Sequence, residues 1–528
     1  MGKLREFFAR RQSPSLVSDL TLALLVSIFC CIFFSTGCSF LYPGNNYDFS
    51  SIDSNVFNYE AYLLLMGKTP YIDFYDHKGM LHIYIDALGL LIGGRYGVLA
   101  LEILFTAASL FLTLRCLQEL FADKWAPRLL AMAAYCAFMP VVLGGNQEGE
   151  WLLPLTTAGF YFFLRGLNEK GGYNFYLSSL FAGLEVGSAI NIRPSDALWG
   201  GAIAIALACY AIRNRLYKKL LLWALPSIGS CLLVIGIIAL VAYCGGYLEP
   251  MVKALTQNFA YVGNQKDMAT FILSQRIALP IIWAVGLFIY WRNRKTENYA
   301  VHEFFFVMLS VSCLIYFVIC RYFIYYWSGL SFYLLLLCYW VSLIPQAKEK
   351  KEGLWNKIKA TSAHLRMSSL AAFLALISLG FAIAIPTCYY VSDYQGVSYQ
   401  TYLKIREDLL TIPEEDRKSE GNIVGIDVNA SIYAGSYINP LSDLNEITVS
   451  TPYYAFQTWW AQDNPEIGER FVAYLLEEKP KYILLDVVYG EDYTLDSIDA
   501  VIESNYSLYQ NRKASENNGR FDIYALNS

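Results

Sequence analysis

Apolar residues along this chain fall in long unbroken blocks. They neither alternate nor stripe one helix face, and most blocks approach the roughly 20 residues that one helical bilayer crossing needs. The pattern predicts spans near residues 16–38, 96–118, 127–144, 151–167, 174–191, 196–212, 220–244, 277–291, 303–320, 326–344 and 368–389, about eleven crossings. After residue 391 the pattern changes to short apolar runs separated by polar turns. There 422–428, 481–487 and 520–526 read as strands and 465–479 and 495–504 as helices. The fold class expected is a polytopic α-helical membrane protein with a C-terminal extracytoplasmic α/β domain, divided into a transmembrane module (1–391) and a soluble domain (392–528).

The segment 80–94 decides the topology. It runs about 15 residues and contains His82 and Asp86, which is short for a crossing and suits an interfacial or re-entrant helix. If it does not cross, the basic loops around Lys124 and Arg128, Arg165 and Lys170, Arg213 to Lys219, Arg292 to Lys295 and Lys348 to Arg366 share the inner face, as the positive-inside rule expects. The amino terminus is then cytoplasmic. Lys3, Arg5, Arg10 and Arg11 precede an apolar run too long for a typical cleaved leader, so that run is expected to be an uncleaved first span. The outer face receives residues 38–95, a polar loop with juxtamembrane helices, together with 146–150, 191–196, 245–275, 321–326 and the tail.

Composition agrees with this picture: 56% hydrophobic against 16% charged residues, with mean hydropathy +0.36. The net charge of -5 averages basic inner loops against an acidic outer loop and tail, and points to no nucleic-acid partner. All twelve cysteines lie between Cys30 and Cys388, in or beside apolar blocks, where a thiol serves as a small buried hydrophobe. The spacing suits no metal site, and the four histidines are too few and too divided for a zinc centre.

Candidate chemistry gathers in the first outer loop. Asp48, Asp53, Glu60, Asp73, Asp76, His77 and Lys78 crowd beside an apolar boundary, where ionisable groups are costly unless solvated or paired. Lys78 sits at the depth of a lipid phosphate, although a lysine there also serves by snorkelling to the interface. Arg193, followed by Pro194, and Arg321 are further anion clamps or structural ion-pair partners. Glu148 and Glu150 form a second acidic cluster that could pair with Lys78 or Arg193, meet sugar hydroxyls or help hold a divalent cation, and that reads equally as a solvated loop end. The tail carries Tyr453, Tyr454, Phe456, Trp459 and Trp460, rings that either stack on sugars or anchor a core.

The order Ile52-Asp53-Ser54-Asn55-Val56-Phe57, then Gly67-Lys68-Thr69-Pro70-Tyr71-Ile72-Asp73 and Asp76-His77-Lys78-Gly79, resembles the first external loop of bacterial family-39-like GT-C glycosyltransferases. That class includes protein O-mannosyltransferases and lipid A aminoarabinose transferases. The motif covers about thirty residues, and the wider layout of spans and outer domain is also similar. The resemblance implies a polyprenyl-phosphate sugar donor, a glycan or lipid acceptor in the cell envelope, a bacterial plasma-membrane location, Asp53 as the catalytic acid position and Lys78 as the phosphate contact, oriented by Asp76 and His77. Many relatives carry a second acid directly after that aspartate. Here Ser54 follows, so a paired-acid or metal-bridging role is not carried over, and no cofactor beyond a divalent cation comes into question. A flippase for lipid-linked saccharides and a non-catalytic glycan-binding scaffold are the competing readings.

Overall fold

The computed structural model describes residues 16–34, 52–121, 125–141, 146–169, 172–264, 269–296, 298–318, 329–343, 404–405, 407–427, 452–454, 456–463, 465–486, 496–519 and 521–527. The expected span at 368–389 and the basic cluster from Lys348 to Arg366 lie outside the described residues.

Thirteen described helices precede the tail. They are α1 (Leu16–Phe34), α2 (Ile52–Leu65), α3 (Met80–Gly93), α4 (Arg95–Phe121), α5 (Trp125–Val141), α6 (Glu148–Asn168), α7 (Asn174–Ile190), α8 (Leu198–Arg213), α9 (Tyr217–Cys244), α10 (Leu248–Asn264), α11 (Ala269–Asn293), α12 (Tyr299–Val318) and α13 (Leu330–Ser342). Among the described residues, three stretches are long and apolar enough to cross a membrane: Tyr96–Phe121, Pro194–Arg213 and Tyr217–Cys244. Helices stand at ten of the eleven places where crossings are expected, and three of these pass on length and composition.

Two polar stretches differ from the loop reading. Residues 52–65 form α2, and α10 with the start of α11 fills most of 245–275. In α2 the polar residues Asn58 and Glu60 dilute the apolar signal, yet both are buried with Phe57 and Tyr59. Tertiary packing stabilises this helix where local pattern is weak.

Close backbone approach sets the packing of the bundle. α3 and α4 form a tight hairpin through Gly94 (φ 60), and a Cβ at Gly97 would come within 1.9 Å of the Gly89 carbonyl oxygen. α7 packs closely on α9, where a Cβ at Gly183 would meet the Ser227 carbonyl oxygen at 2.0 Å. α7 is joined to α8 by a Glu185 carboxylate that accepts the Gly200 N–H at 2.8 Å.

The tail is a small α/β unit. Strands β1 (Ile423–Ile426), β2 (Tyr482–Asp486), β3 (Tyr506–Leu508) and β4 (Phe521–Leu526) form one sheet in the order β1-β2-β4-β3. β1 and β2 are parallel, with Ile423 opposite Tyr482; β4 runs antiparallel to β2 and β3. Helices α15 (Thr458–Asp463), α16 (Pro465–Glu477) and α17 (Asp496–Asn505) accompany it; the four-residue α14 (Glu414–Arg417) comes before it and α18 (Ala514–Asn518) leads into β4. One apolar core is continuous from Tyr59, Ala61 and Phe74 of the amino-terminal region to Ile423, Tyr454 and Leu484 of the tail, so the tail is docked on α2 and the turn that follows it.

Candidate functional site

The site is assembled where the turn before α3 meets the turn after α7. After α2, Gly67 (φ 81) reverses the chain, and Asp73 closes the following turn by accepting the Thr69 N–H at 2.6 Å. Tyr71 donates its hydroxyl to the Lys78 carbonyl at 2.5 Å. The chain then presses backbone to backbone on the end of α7. Leu81 N–H donates to the Asn191 carbonyl at 3.0 Å and Gly79 N–H to the Ile192 carbonyl at 3.4 Å. Donors left over at one helix start thus satisfy acceptors left over at another helix end. A Cβ on residue 79 would lie 2.2 Å from the Asn191 carbonyl oxygen, so this approach requires glycine.

That contact brings Lys78 beside Arg193, which opens the 3-10 turn Pro194–Ala197, with proline at a first position suited to its fixed φ. Between them stands Glu148 at the first position of α6, where a carboxylate is also favoured by the helix dipole. Its Oε1 lies 3.6 Å from Lys78 Nζ and its Oε2 3.8 Å from Arg193 Nη1. Glu148 is 2% exposed, whereas the two cations keep 22% and 23% of their side-chain surface, so a buried anion joins two partly exposed side chains. Lys78 Nζ also stands 4.4 Å from the centre of the Phe57 ring on α2, in cation–π range.

A second carboxylate supports the lysine from behind. Asp76 Oδ1 accepts the Lys78 backbone N–H at 3.2 Å and lies 3.0 Å from His77 Nδ1. Burial works against the Asp76 charge, but Lys78 and His77 outweigh it and hold the carboxyl below the usual range. Facing Asp76 is Glu60 of α2, fully buried, whose Oε1 accepts the Tyr454 hydroxyl at 2.6 Å. Burial first, then the Asp76 charge, pushes the Glu60 carboxyl well above its ordinary value despite that hydrogen bond.

The expected site residues fall into three groups. Asp76, His77, Lys78, Glu148 and Arg193 come together. Asp53 lies in α2 one turn before Phe57, so helical spacing puts position 53 on the face that carries the ring under Lys78; its side chain lies outside the described residues, as does Arg321 altogether. Glu150 does not join the cations. It is buried and interacts with Glu102 and Asp86 in a separate cluster, where Asn146 donates to Asp86 Oδ2 at 2.9 Å and pairs with His82 Nε2 at 3.0 Å. Helix rotation explains the division: two positions along a helix turn a side chain well away from its neighbour.

The tail aromatics have their own correction. Tyr454, Phe456 and Trp460 are buried, with Phe456 stacked on Phe471 at 3.9 Å and Trp460 edge-on to Tyr75 at 5.0 Å. They anchor the tail and its contact with the turn before α3 and offer no open face to a sugar. Among the described residues, no group of three or more His, Cys, Asp or Glu is arranged to hold a metal ion. Sequence reading placed Glu60 in the acidic loop and Tyr454 among the tail rings without joining them, and gave no role to Phe57 or Gly79. For Gly79 alone a local signal existed, a glycine between a charged turn and an apolar helix.

No protein-family model matches the chain, and no curated protein matches it. Among solved structures it is similar to the oligosaccharyltransferase of Archaeoglobus fulgidus in its apo crystal form, at 12% identity and a TM-score of 0.47, over 91% of this chain and 71% of that one. A likeness at that level fixes neither a shared fold nor a shared activity.

Proposed function

We propose that the protein is an integral membrane glycosyltransferase that takes a sugar from a polyprenyl-phosphate donor and passes it to a glycan or lipid acceptor on the outer face of a bacterial plasma membrane. The observation that supports this is the meeting of Lys78 and Arg193, from turns far apart in sequence, on one buried carboxylate with their side chains partly exposed. Two such cations match the oxygens of a lipid phosphate, and they act most strongly as that phosphate gains charge on leaving. The loop resemblance supplies the other half of the reading. Asp53 takes the proton of the acceptor hydroxyl as its oxygen bonds to the anomeric carbon, while the bond from that carbon to the phosphate oxygen breaks. The leaving phosphate is already a good anion, so cation neutralisation carries more of the barrier than a general acid.

The test uses membranes holding equal amounts of protein and a labelled polyprenyl-phosphate sugar. Asp53→Asn is expected to lower transfer by roughly 10²–10⁴-fold, the usual contribution of a positioned base. Unchanged transfer removes Asp53 from the reaction. Movement of the intact lipid-linked sugar across the membrane, with no new glycosidic product, replaces the enzyme by a flippase.

A further inference from the structure

Two buried carboxyls in the outer segment have oxygens left over. Glu60 Oε2 and Asp76 Oδ2 are both enclosed and have no hydrogen-bond partner among the described residues, while the two groups face one another. Two unpaired carboxylate oxygens enclosed together cost several kcal/mol unless a proton lies between them. The remaining oxygens are committed: Glu60 Oε1 to the Tyr454 hydroxyl, Asp76 Oδ1 to the Lys78 backbone and His77. The titratable groups that face Glu60 are therefore Tyr454 from the tail and Asp76, Lys78 and Tyr71 from the loop.

We propose that Glu60 and Asp76 share one proton and that Tyr454, reaching in from the C-terminal domain, is the positioning residue that fixes this pair behind Lys78. The proton resides on Glu60, whose second oxygen donates it to Asp76. Asp76 keeps its charge and holds the Lys78 backbone. The arrangement has an electrostatic consequence for the cation site. With Glu60 neutral, Lys78 and Arg193 are balanced by Asp76 and Glu148; with Glu60 ionised, a further negative charge enters beside Lys78 and opposes an incoming anion. The tail domain is thereby part of the cation site, although its own rings do not line it. Tyr59, its ring tilted against Tyr454 at 5.0 Å, and Tyr75, against Trp460, hold the contact on either side.

The experiment is infrared difference spectroscopy on the full chain in nanodiscs, with a second arm measuring binding of a polyprenyl monophosphate. At pH 7 the wild-type protein is expected to show a neutral-carboxyl band that Glu60→Gln removes. Tyr454→Phe is expected to keep that band and move it to higher frequency, because the carbonyl loses its hydroxyl donor. Absence of a band sensitive to Glu60→Gln overturns the shared proton, and an unmoved band in Tyr454→Phe overturns the role of Tyr454. The binding arm rests on the reading of Lys78 and Arg193 as a phosphate clamp, which the infrared arm does not need. There Tyr454→Phe is expected to weaken binding by about tenfold, the size of one net hydrogen bond, and Glu60→Gln to flatten its fall with rising pH. If the bands behave as expected and the phosphate does not bind, the clamp is wrong and the proton pair stands.

Discussion

Asp76 in the turn before α3 and Asp427 at the end of β1 are buried alike, 5% and 7% exposed, and their environments act in opposite directions. Asp76 has Lys78 and His77 beside it and is held below the ordinary carboxylate range. Asp427 has neutral partners, the Thr458 N–H at 2.8 Å and the Thr458 hydroxyl at 2.7 Å, with the Asp486 carboxylate close by. Burial, reinforced by Asp486, pushes it up to about 6. Enclosure by itself therefore does not mark a working acid. The neighbouring charge decides, and here cations stand beside Asp76 while Asp427 receives hydrogen bonds suited to a structural corner.

The comparison breaks most severely at Gly79. A methyl group there meets the Asn191 carbonyl and forces the α3 and α7 ends apart, taking Lys78 away from Arg193. Gly79→Ala is expected to cut transfer from a labelled polyprenyl-phosphate sugar by about a hundredfold or more, the cost of displacing reacting groups by about 1 Å. Glu148→Gln comes next. It leaves two partly exposed cations without their shared carboxylate, and thermal unfolding in nanodiscs is expected to show a loss of roughly 2 kcal/mol, below the ~3–5 kcal/mol of a fully buried pair.

Asp427→Asn sharpens the other side of the comparison. The folded protein binds the Asp427 proton more tightly than the unfolded chain, so this residue's contribution is present at low pH and is lost as pH rises from about 4 through about 6. The substitution is expected to remove that dependence, up to roughly 3 kcal/mol between the two ends of the window. Unfolding measured at pH 4 and pH 7 reads it, and an unchanged slope refutes the assignment. The smallest effect belongs to the exposed ion pair between Lys68 and Glu420, 3.1 Å apart, which also joins loop to tail. Lys68→Ala is expected to change stability by less than about 0.5 kcal/mol, in contrast to the enclosed Tyr454 contact across the same boundary.

Helices written as continuous apolar runs were legible in the sequence, as were β1, β2, β4, α16 and α17, because each pattern matches one period and ends at a turn residue. α2 was not, because its burial comes from packing against α3 and Tyr454 of the tail and its own residues are half polar. β3 was not, because three residues carry too little pattern and are defined by their pairing with β4. The same physics divides the site. Lys78, Arg193 and Glu148 could be singled out by charge beside an apolar boundary, and Glu148 as a partner for the cations. The link from Glu60 to Tyr454 spans 394 positions, so no local signal announces it. Glu150 was misplaced for a simpler reason, since sequence proximity to Glu148 does not survive the rotation of a helix.

α9 has 28 residues, about 42 Å at 1.5 Å per residue, against an oily layer about 30 Å thick. Most of its flank is uncovered apolar surface, and its closely packed side lies on α7, whose far end leads into the Arg193 turn. Such a rod leans more steeply in thin bilayers and straightens in thick ones. Bilayer thickness is therefore expected to set the lean of α9, which helix tilt measured in nanodiscs of short and long lipid chains reads.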